Sequence, residues 1–243
     1  MAITTRLVEY HHDDTRLQGY LAWDDSLPGP LPAVAIAHSW AGRGEFVCGK
    51  ARALADLGYV GFAIEMYCAG VLGASPEEIS ALMAPLMEDR TLLQARIGLA
   101  VATLRAQAEV DTSRVAAMGF CFGGLCALDL ARSGGDVLGV VSFHGLFTPP
   151  GNTAGRSIDA RILCLHGYED PMAAPDTLLA LAAELGEAGA DWQVHAYGGT
   201  VHAFTNPAAD NPDMGTVYSE RADHRSWRAM HNFFEELFGQ VTA

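Results

Sequence analysis

Short runs of Val, Ile and Ala alternate along the chain with longer stretches whose apolar positions recur every three to four residues. Strand-length apolar runs between segments of helical period predict an α/β protein, with a mostly parallel sheet and helices on both faces. Residues 6–10 and 18–23 instead alternate apolar with polar, which predicts an antiparallel hairpin at a sheet edge. A buried strand follows at 33–37, then the glycine-broken loop His38-Ser39-Trp40-Ala41-Gly42-Arg43-Gly44. A helix over 45–57 stops at Gly58, where a left-handed cap is free of steric cost, and 59–64 is the next strand. Ser75-Pro76-Glu77-Glu78 carries a helix cap, a first-turn proline and an acid three residues on, so helical structure is expected from there to about residue 106, with a break near Pro85. Strands at 114–118, 137–143, 161–165 and 192–197 alternate with helices at 124–132 and 176–188, and a last helix covers 219–238. The Gly/Pro-rich patches at 26–32, 148–155 and 206–215 are of loop length, so one domain is expected over 1–243.

Charge narrows the partners. The 243 residues carry 15 Lys and Arg against 29 Asp and Glu, a net charge of −14. A nucleic acid or an anionic membrane would have to bind against that field, and neither is expected. No apolar run approaches the roughly 18 residues of a membrane span, and residues 1–14 show no basic segment leading into an apolar one. A soluble, cytoplasmic protein is the expectation. Five cysteines (Cys48, Cys68, Cys121, Cys126, Cys164) lack C-x-x-C spacing, which points to buried thiols in place of disulfides or zinc.

One thiol departs from that reading. Met118-Gly119-Phe120-Cys121-Phe122-Gly123-Gly124 has the G-x-C-x-G-G form of a nucleophile elbow, a strand end turning sharply into a helix. The helix that follows points its first amides at the sulfur, favouring a thiolate and an oxyanion. An acid and a base follow in the chain order this turn requires. Asp170, with Glu169 as the neighbouring alternative, lies beyond the strand at 161–165, and His202 lies beyond the strand at 192–197. In such a triad the thiolate attacks, the imidazole moves a proton near neutral pH, and the carboxylate fixes its tautomer. Two oxyanion donors are expected, the backbone N–H groups of Phe122 and Trp40.

On these features the chain resembles the dienelactone hydrolase family of α/β-hydrolases, from residue 33 to residue 238. The resemblance rests on Asp111-Thr112-Ser113-Arg114-Val115 leading into the elbow, on the Asp170 loop, and on His202-Ala203-Phe204-Thr205-Asn206-Pro207. It implies hydrolysis of esters or lactones by a Cys–His–Asp triad, with no metal and no cofactor. The chain departs from the members that act on dienelactone at two points. Those carry a Glu in the loop where this sequence has Ser39, and they hold the substrate carboxylate with arginines. Here Asn206 stands four residues past His202, and no Lys or Arg occurs from residue 53 to residue 89. A buried carboxylate without a basic partner is costly, so uncharged substrates are expected.

The expected cleft walls are Ser39, Trp40, Arg43, Phe46, Met66, Tyr67, Met83, Met87, Phe120 and Phe204, with Phe147 as a further candidate. Such a cleft would take aryl carboxyesters and lactones, with neutral phosphotriesters as a further class. The sequence also resembles dienelactone-hydrolase-like proteins with this cysteine triad that act promiscuously as phosphotriesterases. The only partner expected is a small-molecule ester, with a homodimer left open. His11-His12-Asp13-Asp14 reads as a solvated hairpin turn, and His38, His144 and His166 each follow a strand without a role legible from sequence. Two other classes stay open: a redox-sensing thiol and a non-catalytic binding protein on a hydrolase scaffold.

Overall fold

The predicted edge hairpin forms from β1 (Ile3–His12) and β2 (Thr15–Asp24), paired from Ile3 with Asp24 to His12 with Thr15 in a computed structural model that describes residues 3–239. After β3 (Leu31–Ala37) come α1 (Glu45–Ala55), β4 (Val60–Ala63), α2 (Pro76–Glu88) and α3 (Arg90–Arg105). Then follow β5 (Val110–Phe120), α4 (Phe122–Arg132), β6 (Gly139–Phe143), β7 (Arg161–Gly167), α5 (Pro175–Glu187) and β8 (Trp192–Tyr197). A two-stranded ribbon, β9 (Asp210–Asn211) and β10 (Thr216–Val217), precedes α6 (Glu220–Phe238). The main sheet has the order β1-β2-β4-β3-β5-β6-β7-β8; β1, β2 and β4 pair antiparallel, and from β4 onward all pairs are parallel.

The period of two sorts each central strand between two cores. On β3, Val34 and Ile36 join α1 and α6 on one face, while Ala33, Ala35 and Ala37 face α3 and α4 on the other. Those alanines let α4 come close, and every residue of α4 is buried. Two sequence readings need correction. The helical stretch from residue 75 breaks at Asp89, not near Pro85: Pro85 is accommodated inside α2, while the Asp89 side chain accepts from the Thr91 and Leu92 amides and starts α3. The strand at 192–197 is the last of the main sheet, but the segment read as loop from 206 to 215 contains β9 and leads into β10. Among the described residues no helix is long and apolar enough to cross a membrane.

Candidate active site

Cys121 stands between β5 and α4 at φ 57°, ψ −116°, a conformation that non-glycine residues rarely adopt. Glycines make that turn possible. A Cβ on Gly119 would lie 2.0 Å from the Gly123 carbonyl oxygen, and one on Gly123 would lie 2.2 Å from the Ala37 oxygen and 2.6 Å from that of His38. The elbow is thus packed directly on the end of β3, where the loop bearing Trp40 begins. The Cys121 amide donates to the Phe143 carbonyl (3.0 Å), and Phe122 is the first residue of α4, so its N–H has no partner one turn earlier in the helix.

Asp170 and His202 meet across the ends of β7 and β8. His202 Nδ1 donates to Asp170 Oδ2 at 2.7 Å, and Asp170 Oδ1 accepts from the Met172 amide at 2.8 Å; both residues are buried. Glu169 is turned away and accepts from the Thr200 amide. The backbone of His202 is clamped by the ribbon, donating to Gly215 and accepting from Val217 on either side of a bridge to Thr216. Sequence reading missed this clamp, because a two-residue strand leaves no periodicity to detect.

Burial opposes charging of the His202 ring. Hydrogen bonding to Asp170 and the proximity of the Cys121 sulfur outweigh it, raising the pKa from 6.5 to about 10. No hydrogen bond of regular geometry closes from His202 Nε2, a looseness common before substrate binds. His144, itself at φ 38°, presses a ring edge on His202 (centroids 5.1 Å apart) and shares a 2.8 Å hydrogen bond with Thr205. Burial, and then the neighbouring His202, hold its pKa well below the usual range, and burial lowers that of His166. The imidazole favoured to carry charge here is therefore that of His202.

The expected cleft walls divide. Ser39 and Trp40 are half-buried beside the elbow. Phe120 and Phe204 are fully buried in the α1 and α6 core, and Phe46, half-buried, packs against that core edge-on to Phe120 at 5.1 Å. Met66 and Tyr67 are buried in the opposite core, Met83 and Met87 lie partly buried against it from α2, and Phe147 is buried with its ring on His166. Arg43 turns inward, its guanidinium drawn to Glu65 (3.6 Å), Gln18 Oε1 (3.2 Å) and Cys48 Sγ (3.7 Å). Glu65, fully buried at the end of β4 and 3.4 Å from His38, was not singled out in the sequence, since a lone Glu after a strand forms no motif. Among the described residues no group of three or more His, Cys, Asp or Glu is arranged to hold a metal ion, and His12 only approaches the exposed Asp13 at 3.9 Å.

Comparison with known proteins places the chain in a family. The model of the dienelactone hydrolase family matches residues 17–238. The chain belongs to the dienelactone hydrolase family. With that family it has the α/β-hydrolase fold and is an ester-bond hydrolase. It is similar to the crystal structure of P91, a dienelactone hydrolase-like promiscuous phosphotriesterase from metagenomic libraries. That match has 38% identity and a TM-score of 0.92, covering 98% of this chain and 100% of the other. The solved structure named m3DLH is also 38% identical, with a TM-score of 0.94 over 98% of this chain and 100% of its own. An uncharacterized protein of Caenorhabditis elegans is 35% identical over 149 residues, 60% of this chain and 94% of that protein.

Proposed function

We propose that this member of the dienelactone hydrolase family cleaves uncharged esters through Cys121, with His202 and Asp170 handling the protons. The observation that carries the reading is the closed Asp170–His202 hydrogen bond beside a thiol held at positive φ on a strand-to-helix turn. Charge on the imidazole, favoured by its raised pKa, pairs with a thiolate. The thiolate attacks the carbonyl carbon, and the oxyanion is held by the Phe122 and Trp40 amides. As the tetrahedral species collapses, the imidazolium gives its proton to the departing alkoxide, leaving a thioester. The neutral imidazole then takes a proton from water, whose oxygen displaces the sulfur and releases the acid. No step calls for a metal or a cofactor.

Phosphotriesters fit the same apparatus, since attack at phosphorus also builds charge on one oxygen. The likeness to P91 at 38% identity supports including them. A dienelactone substrate is disfavoured by charge: its carboxylate needs a cation, Asn206 supplies none, and Arg43 is committed to Glu65. A redox sensor or a binding module would leave the buried acid–base pair without a task. The test is turnover of a neutral chromogenic aryl ester and an aryl phosphotriester by wild type and Cys121→Ala, with mass spectrometry of the protein during turnover. An acyl or phosphoryl adduct on Cys121, and no turnover in the variant, is the expected result. Turnover surviving in Cys121→Ala would defeat the reading.

A further inference from the structure

His38 is fully buried at the end of the strand that leads to Trp40. Its Nδ1 lies 2.6 Å from the Ser39 carbonyl oxygen, which can only accept, so this nitrogen carries a hydrogen and donates it. Nε2 accepts from the Met66 amide at 3.1 Å, with Glu65 Oε1 3.4 Å from the same nitrogen.

That contact orients a different residue's amide. The Ser39 carbonyl and the Trp40 N–H belong to one trans peptide unit, and in a planar trans peptide the two point to opposite edges. With the carbonyl drawn to His38 and to the Gly42 amide (3.3 Å), the Trp40 N–H is turned away from them. The next peptide is pinned as well, because the Tyr67 hydroxyl donates to the Trp40 carbonyl at 2.7 Å. Tyr67 stacks on Phe122, the other oxyanion residue (5.9 Å), and meets His38 edge-on (4.8 Å). The segment carrying Met66 and Tyr67 is anchored in turn. Arg96 donates to both of their carbonyls at 2.8 and 2.9 Å, and the Tyr10 hydroxyl bridges the Glu65 N–H and C=O.

We propose that His38 and Tyr67 are positioning residues for oxyanion stabilisation, acting through the two peptides that flank Trp40 and never on the substrate itself. The inference rests on the proposed Cys121 chemistry. It is tested by comparing ester turnover with alkylation of Cys121 by iodoacetamide, a displacement that uses the thiolate but builds no oxyanion. His38→Ala is expected to lower kcat on a neutral aryl ester by about 10- to 100-fold, short of the roughly 10²–10³ for deleting such a donor outright. KM should stay within about twofold, since the lost interaction belongs to the transition state. Tyr67→Phe should lose about threefold to tenfold in kcat, one hydrogen bond being removed.

The alkylation rate should match wild type in both variants. His38→Gln, whose amide can donate to Ser39 and accept from Met66, should recover most of kcat. Unchanged kcat in His38→Ala and Tyr67→Phe overturns the inference, as does alkylation slowed in step with turnover, which would place the effect on the thiol or the fold. If His38→Ala does not fold, Tyr67→Phe and His38→Gln decide, because both preserve the packing. Turnover surviving in Cys121→Ala sinks the proposed function and this inference with it, whereas turnover lost there but intact in the His38 and Tyr67 variants overturns this inference alone.

Discussion

On one side of Cys121, beyond β7 and β8, the groups proposed for catalysis are side chains: the Asp170 carboxylate hydrogen-bonded to the His202 ring, backed by His144 and Thr205. On the other side, beyond β3 and β4, the group proposed to work is a backbone N–H, and the side chains around it hold peptides in place. Proton transfer needs a particular pKa and so a particular residue type, whereas an amide donor is available from almost any residue. The acid–base side is therefore constrained in residue identity, and the oxyanion side in geometry. The two meet at Gly123, whose missing Cβ lets the elbow rest on the end of β3.

The sharpest way to break this comparison is to remove the side-chain chemistry. Cys121→Ala should lower kcat on a neutral aryl ester by at least about 10³-fold, and His202→Ala nearly as much, because residues that act as a unit do not contribute additively. If His202→Ala retained a tenth of wild-type kcat, the β8 side would not be the proton-handling side. Asp170→Asn should cost less than either, since the ring remains and only its charge partner is lost.

The same variant carries a pH signature. With a pKa near 10, His202 keeps the proton it donates until the medium becomes strongly alkaline, so the alkaline limb of kcat/KM should fall near pH 10. The groups acting on it are Asp170 and Cys121, which favour the charged ring, and His144 and His166, which burial keeps neutral. Removing the Asp170 charge should move the limb toward lower pH, and a limb that stays in place would show that Asp170 does not set it. Stability follows the same sign: a folded-state pKa above the ordinary 6.5 stabilises the protein below that pH, and the contribution is lost as pH rises through about 10.

How much of this was legible in the sequence follows the same division. The strand and helix alternation and the elbow could be read, because periodicity and fixed spacing record them; the ordered Asp170 and His202 could be named as candidates on the same ground. The helix break was misplaced at Pro85, since a proline four residues from a helix end can be tolerated while an Asp that caps the next helix ends the first. The cleft walls were the least legible part. Phe120, Phe204, Met66 and Tyr67 lie near strand ends, and whether such a residue turns to a cleft or to a core depends on the face it occupies. Arg43 looked available because its partner Glu65 lies 22 positions away, beyond α1 and β4.

Joining the two sides too tightly should also fail. Gly123→Ala places a methyl 2.2 Å from the Ala37 oxygen, a backbone atom that cannot swing aside. The elbow and the oxyanion loop must then move apart, at a cost of about 1–3 kcal/mol for overpacking. A denaturant midpoint lowered without a change in slope, together with reduced kcat, is the expected result. Wild-type stability in this variant would mean that the two sides are not in contact at Gly123.

The smallest expected effect concerns substrate charge, and it asks whether the oxyanion side offers any cation to a bound anion. Arg43 is the nearest candidate in sequence, and it faces Glu65 in the interior. A neutral aryl ester should therefore exceed its carboxylated analogue in kcat/KM by about tenfold, because an anion entering the site loses hydration that no basic group replaces. The net charge of −14 adds a repulsion of longer range, and salt separates the two contributions. At about 1 M ionic strength the screening length falls to roughly 3 Å, so the long-range part vanishes and the local desolvation cost remains. A preference that persists in high salt locates the discrimination in the cleft, and one that disappears locates it in the overall field. If the carboxylated ester is instead the better substrate at both ionic strengths, a cation does reach the site, and a dienelactone-like substrate becomes the better reading.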